Sequence, residues 1–331
     1  MKTCIRRWIA LFGLSAFITP VVVAETTVAV TTVDETQQAP YWQRSAAWMA
    51  GSRDELSEHI ETLGRRLDSF FSGQEVMVDK NKSYIRMRLG AIWKERYGVE
   101  NDSDIKFRLD LPATKERYRI VIESESEEDH SLEESNRPAL MDQSSPSRES
   151  VSAAVRFVSG VVKHWDTDLD IGVRTRIPLD PFIRGTAKRE WDLDDNWVGR
   201  IHQRVSYFHS NSFSAKTKFI FERPLSQKSL FRHKTELEWE KLEDQLAFAD
   251  VFSVFNEIDD DRVVEYQFGI LGSSLSNTHI DDIFVGANYR ERLYKDWLYL
   301  EVIPEILFPR EDDYEMTHSL TLRLEVMFTK H

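Results

Sequence analysis

The feature that most constrains the fold is a two-residue alternation of apolar and polar side chains between residues 83 and 328. In "YIRMR", for example, Ile85 and Met87 alternate with Arg86 and Arg88. Successive side chains of a strand point to opposite faces, so each such run predicts a strand with one apolar face and one charged face. About fourteen runs follow the pattern, near residues 83–96, 103–112, 117–125, 150–161, 166–177, 182–193, 197–208, 212–223, 230–241, 246–257, 262–273, 282–294, 297–308 and 318–328.

The length of these runs predicts that they cross a bilayer. Most hold about 10–12 residues, which is the length that a tilted strand needs to span the hydrocarbon layer. Their polar faces are dense in Arg opposite Asp and Glu, and this composition suits a confined barrel interior better than the water-exposed face of a sandwich. The sequence predicts an all-β, antiparallel up-and-down transmembrane barrel of about 14 strands (12–16) within residues 83–328. A soluble periplasmic β protein is the alternative.

The amino terminus predicts export. Basic residues, a short apolar run and small residues ending at Ala24 are typical of a secretory signal peptide over residues 1–24, with a membrane anchor helix as the alternative. Cys4 is the single cysteine, so the mature chain would have no disulfide or thiolate chemistry. The net charge of −13 argues against nucleic acid as a partner.

Two segments precede the barrel. Residues 25–51 are polar with little pattern, and we interpret them as a flexible lead-in. Residues 52–73 predict a periplasmic amphipathic helix, because Ser52 and Glu55 fit a capping box before an apolar stripe. The stripe consists of Leu56, Ile60, Leu63, Leu67 and Phe70. We expect it to pack on the rest of the protein, and binding of a partner or a second copy is the alternative.

One predicted loop differs from the others in composition. Residues 123–149 are acidic and rich in serine, with little apolar content, which is typical of a mobile segment outside the packed body. A barrel of about fourteen strands is too wide for its own side chains to fill easily. Either this acidic loop or the 52–73 helix could therefore plug a narrow water-filled path.

Aromatic side chains cluster near the ends of the alternating runs. Such clusters are typical of the interfacial girdles of membrane barrels, although soluble β proteins also have them. The residues concerned are Trp93, Tyr97, Trp165, Trp191, Trp197, Tyr207, Tyr294, Trp297 and Tyr299.

The last run carries a resemblance to a known class. In Gram-negative outer-membrane β-barrel proteins the final strand has alternating apolar residues and ends in Phe, as a signal for the barrel-insertion machinery. The matching residues are Leu320, Leu322, Leu324, Val326 and Phe328. Three residues follow Phe328, whereas Phe is usually last in the class. The resemblance covers residues 83–328 at class level, and it implies a location in the cell outer membrane, with outer-membrane lipid and the insertion machinery as partners.

The charged face suggests the function. On this register the lumen-lining candidates are Arg86, Arg88, Arg108, Asp110, Asp168, Asp170, Arg174, Arg200, Arg204, Lys216, Lys218, Arg232, Glu236, Glu238, Glu265, Arg290, Glu301, Arg323 and Glu325. Such charges can line a pore and set its ion selectivity, or they can pair fully and close it. We therefore predict a passive, porin-like channel for small solutes. The alternatives are a non-conducting structural barrel and an outer-membrane lipid hydrolase.

Two stretches carry residue types used in catalysis or metal binding. "YFHSNSFS" offers His209 and Ser212, but outer-membrane phospholipase A has its His and Ser two apart before an Asn-Gly, and here they are three apart with no such Gly. A polar turn is the simpler interpretation. "WDTDLDIG" begins like a calcium loop, but its Gly172 is one position late and no Glu closes it. We predict no enzyme activity, no cofactor and no metal site.

Overall fold

The computed structural model describes the chain in eight stretches and several single residues. These are residues 83–112, 118–124, 151–162, 164–175, 177–193, 196–242, 244–274 and 278–329, with Leu63, Gly64, Arg66, Leu67, Phe70, Leu132, Asn136 and Arg137. The predicted signal peptide 1–24, the lead-in 25–51, and most of the 52–73 helix and of the acidic loop lie outside the described residues.

Fifteen strands form one antiparallel sheet. They are β1 (Tyr84–Lys94), β2 (Gly98–Asn101), β3 (Asp104–Pro112), β4 (Tyr118–Ser124), β5 (Val151–Val162), β6 (Trp165–Arg174), β7 (Asp180–Leu193), β8 (Trp197–Phe208), β9 (Ser212–Pro224), β10 (Ser229–Glu240), β11 (Gln245–Asp259), β12 (Arg262–Ser273), β13 (His279–Tyr294), β14 (Leu298–Leu307) and β15 (Thr317–Thr329).

The sheet closes into a barrel of 14 strands, in which β2 and β3 together count as one strand. β15 pairs with β1 along its whole length, from Tyr84↔Thr329 to Lys94↔Ser319. β2 and β3 both pair with β1, so they are two parts of one barrel strand that is interrupted at Asp102. Every other strand pairs with its neighbours in sequence. The predicted up-and-down barrel of about fourteen strands is confirmed.

The two rims of the barrel differ. At one rim, which we call the short-turn end, β1 begins, β15 ends and tight turns join the strands, as at Asp260–Asp261 between β11 and β12. At the other rim, the loop end, the connections include the long segment after β4 and residues 308–316 before β15. Among the described residues, no helix is long and apolar enough to cross a membrane.

The two faces of the sheet separate apolar from charged side chains. On β15, Leu322 is 49% exposed on the outside, whereas Thr321 and Arg323 on either side of it are 0% and 3% exposed on the inside. Leu320, Leu324, Val326 and Phe328 share the outer face with Leu322. This follows from the period of two, because a strand can place all its apolar residues on one side only if they alternate.

One predicted girdle residue faces the interior. Trp93 and Trp297 are exposed on the outer face near the rims, as the sequence predicts. Tyr299 is only 8% exposed and points into the barrel, where the Arg290 guanidinium lies 4.2 Å from the centre of its ring. Its assignment to the girdle is therefore wrong, because Tyr299 occupies an inward position of β14 beside Glu301.

Candidate functional site: the barrel lumen

A chain of buried ion pairs covers the wall formed by β13, β14, β15 and β1. Arg290 pairs with Glu301, and its Nη2 also lies 2.5 Å from Glu325 Oε1. Arg88 Nε donates to Glu325 Oε2 at 2.9 Å. Arg323 reaches Glu301 at 3.2 Å. These five residues lie at inward positions of adjacent strands, where the register sets Arg290 opposite Glu301 and Glu301 opposite Arg323.

The break between β2 and β3 contributes to this wall. Asp102 lies in the interruption, its backbone N–H donates to the Gly90 carbonyl, and its carboxylate accepts from Arg323 Nε at 2.6 Å. A Cβ on Gly90 would lie 2.8 Å from the Asp102 carbonyl oxygen. Gly90 thus allows the close approach that brings Asp102 into the lumen.

A second cluster of charges joins β4 to β7. Asp170 accepts from Arg156 at 2.7 Å and from Arg184 at 2.8 Å, and Arg184 also reaches Glu123 at 3.3 Å. Asp170 is 1% exposed. A carboxylate that holds two guanidinium groups in this way fixes three strands together, and it also satisfies charges that burial would otherwise penalise.

The wall formed by β7, β8 and β9 is rich in cations. The register sets Lys188 opposite His202 and His202 opposite Lys218, and one pair along, it sets Arg204 opposite Lys216. Like charges directly opposite on neighbouring strands repel, so the pair of Arg204 and Lys216 needs nearby anions. Glu236 and Glu238 on β10 supply two of them, because Lys216 Nζ lies 3.3 Å from Glu236 and 3.2 Å from Glu238.

Residues of the predicted 52–73 helix lie inside the barrel near its short-turn end. Leu63, Gly64, Arg66, Leu67 and Phe70 are helical. Leu63 and Leu67 are fully buried and pack in a cluster formed by Val198, Leu230, Phe255 and Val263. Arg66 Nη2 lies 3.1 Å from Glu257 Oε2. A Cβ on Gly64 would lie 3.0 Å from Glu222 Oε2, so the backbone here runs close to the wall.

Three residues of the predicted acidic loop also lie inside, in the half nearer the loop end. Leu132 packs against a cluster formed by Ala249, Val251, Leu271, Phe284 and Leu307. Arg137 lies 2.9 Å from Asp282 and 3.5 Å from Glu305, and the Asn136 amide donates to Glu236 at 3.4 Å. The expectation that the loop stays outside the packed body is wrong for these residues, because they find apolar and acidic partners on the inner wall.

All nineteen residues predicted to line the lumen lie at inward positions of the strands. Fourteen are buried: Arg86, Arg88, Asp110, Asp170, Arg174, Lys216, Lys218, Glu236, Glu238, Glu265, Arg290, Glu301, Arg323 and Glu325. Five are half-buried: Arg108, Asp168, Arg200, Arg204 and Arg232. The prediction missed Asp102, Glu123, Arg156, Arg184, Glu222 and Asp282. All but Asp102 occupy the same alternating positions, so a complete reading of each run could have found them.

The two stretches with catalytic or metal-binding residue types have structural partners. The β8–β9 connection is a tight turn in which the Ser210 hydroxyl donates to Asp180 at 2.6 Å. Among the described residues the His209 side chain makes no hydrogen bond, so neither Ser210 nor Ser212 has His209 as a base. In "WDTDLDIG", the Asp170 carboxylate forms ion pairs with Arg156 and Arg184. Among the described residues no group of three or more His, Cys, Asp and Glu side chains could hold a metal ion.

Comparison with known proteins yields solved structures only. No protein-family model and no curated protein matches the sequence. The fold is similar to a loop-deletion variant of OmpT, an outer membrane protein of Vibrio cholerae, with 7% identity, 74% of this chain and 98% of that chain covered, and a TM-score of 0.48. It is also similar to Salmonella typhi OmpF in complex with daunomycin, with 7% identity and a TM-score of 0.48. That match covers 77% of this chain and 100% of the OmpF chain. A bacterial polysaccharide outer membrane secretin matches with 10% identity, 76% and 99% covered, and a TM-score of 0.41.

The class of the protein follows from its own geometry. The sheet has no open edge, the outer face is apolar and the interior is ionic, and only such a closed barrel satisfies the backbone of strands in lipid. The chain folds as a closed antiparallel β-barrel of 14 strands with the apolar exterior and ionic interior of a membrane-spanning barrel.

Proposed function

We propose that this protein is a porin-like outer-membrane channel that passes small charged solutes through a lumen narrowed by two inserted segments. The observation that carries the proposal is the inner wall of β7–β9, where Arg204 stands directly opposite Lys216 and where Lys188 and Lys218 occupy the next inward positions. A closed structural barrel has no need of adjacent like charges, which destabilise it. A path for ions needs charged groups that hold a solute weakly at several positions.

The inserted residues support a narrow path rather than a wide pore. Leu63 and Leu67 occupy the interior near one end, and Leu132 and Arg137 occupy it near the other. Arg137 ties its segment to two strands by ion pairs with Asp282 and Glu305. Removal of this guanidinium should loosen the segment and widen the path at that level.

A non-conducting barrel is the second candidate. The mutual pairing on the β13–β15 wall, where Arg290, Glu301, Arg323 and Glu325 satisfy one another, favours it, because such a wall offers no group to a passing ion. The two candidates differ in one measurable property, which is whether the folded protein conducts.

Single-channel recording in planar bilayers separates them. The channel proposal expects discrete current steps from the purified barrel, and larger steps from Arg137→Ala. Arg292→Ala is the matched control, because Arg292 also holds two carboxylates, Asp261 and Asp296, but at the exposed short-turn rim. We expect its steps to equal those of the wild type. If neither the wild type nor Arg137→Ala produces current steps, the non-conducting barrel is correct.

We further infer that the chain is exported to the outer membrane, where its outer face contacts lipid and its last strand engages the barrel-insertion machinery. The outward apolar row from Leu320 to Phe328 supports this. Phe328→Ala should slow assembly in cells without changing the stability of barrel that has already assembled. Equal amounts of heat-modifiable wild-type and variant barrel shortly after synthesis would contradict the inference.

A further inference from the structure

A polar cluster stands on the outer face of the barrel, between rows of apolar side chains. His233 and Thr235 on β10 lie at outward positions, because Arg232, Lys234 and Glu236 between and beside them point into the lumen. Asp250 on β11 lies directly opposite Thr235. All three lie in the interior of their strands, away from both rims of the barrel.

The cluster is tightly organised. His233 Nε2 lies 2.8 Å from Asp250 Oδ1, and the Thr235 hydroxyl donates to the same oxygen at 2.7 Å. The His233 ring nitrogen Nε2 and the Thr235 hydroxyl therefore both contact the same oxygen of Asp250. A catalytic relay would instead set the acid and the hydroxyl on opposite ring nitrogens, so this geometry does not support a nucleophilic site.

A flat row of aromatic rings surrounds the polar groups. The His233 ring stacks on Phe252, with centroids 4.3 Å apart and an interplanar angle of 1°. Phe221 continues the row on β9 at 6.5 Å from His233, and Phe268 continues it on β12 at 6.2 Å from Phe252. The row crosses four adjacent strands of the outer wall.

The polar groups are not fully satisfied within one molecule. Their side chains are 29% and 42% exposed. Among the described residues, His233 Nδ1 and Asp250 Oδ2 have no hydrogen-bond partner. Acyl chains offer no donor or acceptor, and lipid headgroups lie at the rims, so lipid cannot complete these bonds at this depth. Ionisable groups left on the lipid face destabilise a barrel.

We propose that this patch, defined by Phe221, His233, Thr235, Asp250, Phe252 and Phe268, is the surface on which a second copy of this chain docks in the membrane. The chemistry is self-complementary, because the patch carries one basic imidazole and one acidic carboxylate, and both are partly exposed. A two-fold axis through the patch brings the His233 imidazole of each copy toward the Asp250 carboxylate of the other. The aromatic row adds apolar area that both copies can bury. The inference goes beyond the proposed function, since it holds whether or not the barrel conducts.

Cysteine crosslinking in native membranes tests the proposal. The background is Cys4→Ser, which removes the single natural cysteine. Leu237→Cys, Phe252→Cys and Phe268→Cys place a thiol within or beside the patch. Leu109→Cys and Ile120→Cys are the controls, because they are 38% and 44% exposed on the far side of the barrel. Mild oxidation should give a disulfide-linked dimer from at least one patch position and none from the controls.

A second variant distinguishes dimerisation through the polar pair from nonspecific association of the apolar wall. His233→Phe with Asp250→Leu keeps the face apolar, and this double variant should remain a heat-modifiable barrel while its crosslinked dimer decreases at least tenfold. Four results would overturn the proposal: no dimer at any patch position, equal yields at patch and control positions, an undiminished dimer in the double variant, or an adduct to a protein of different mass.

Discussion

Glu325 gives the sharpest test of the ionic lumen. It is 1% exposed, and it accepts hydrogen bonds from Arg88 Nε at 2.9 Å and from Arg290 Nη2 at 2.5 Å. Glu325→Ala removes the carboxylate that two buried guanidinium groups share. Because Arg290 keeps its pair with Glu301, only part of its compensation is lost.

The expected cost follows from these contacts. Removal of one partner of a buried pair destabilises a protein by about 3–5 kcal/mol, because the remaining charge is left uncompensated. We expect Glu325→Ala to lower the free energy of unfolding by an amount in that range. Glu325→Gln keeps the volume and one acceptor oxygen, so we expect about 1–3 kcal/mol. Val326→Ala, at the next and outward position, should cost about 1 kcal/mol.

The assay is reversible urea unfolding of the barrel in lipid vesicles, followed by tryptophan fluorescence and by the loss of heat-modifiable gel mobility. The order of stability should be wild type, Val326→Ala, Glu325→Gln and then Glu325→Ala. The reasoning would be refuted by a Glu325→Ala barrel that unfolds within about 1 kcal/mol of the wild type, or by a greater loss from Val326→Ala.

Three further predictions concern the outer wall, the loop end and the lumen. Leu322→Arg should cost about 2–4 kcal/mol in the same unfolding assay, because the side chain faces mid-bilayer lipid, and unchanged stability would contradict the topology. A hydrogen bond from His318 lowers the pKa of Glu95 in the β1–β2 turn. The stabilisation from this contact should therefore be complete above the ordinary glutamate pKa, and it should be lost as the pH falls through the lowered pKa of the folded state. An NMR titration in which Glu95 shows an ordinary pKa would contradict this prediction. Lys218→Glu should shift the reversal potential in a KCl gradient toward cation preference, and an unchanged potential would place the ion path away from the β7–β9 wall.

Strand existence and face orientation could be predicted from the sequence because both depend on local alternation. The run at residues 246–257 corresponds to β11 (Gln245–Asp259), and its partner run at 262–273 is β12 itself. The four-residue β2 was missed, because "GVEN" is too short to show a period and is separated from β3 by Asp102 and Ser103. Its pairing depends on β1 rather than on its own composition.

The contacts inside the lumen could not be predicted in the same way. Arg137 meets Asp282 and Glu305, which are 145 and 168 residues away in the sequence. Which charge faces which depends on the stagger of fourteen strands and on where Arg137 meets the inner wall, and neither leaves a local pattern. The outward pair His233 and Asp250 was missed for a related reason, since its contact joins two strands and leaves no pattern within either one.

We expect the apolar outer face of the barrel to be embedded in the outer membrane. The most direct measurement is fractionation of cells with a carbonate wash of the membranes, in which each fraction is run unheated and boiled on the same gel. We predict that the protein stays in the washed outer membrane and changes mobility on boiling. Recovery in the soluble periplasmic fraction, with the same mobility before and after boiling, would contradict the membrane barrel and every conclusion drawn for its lumen.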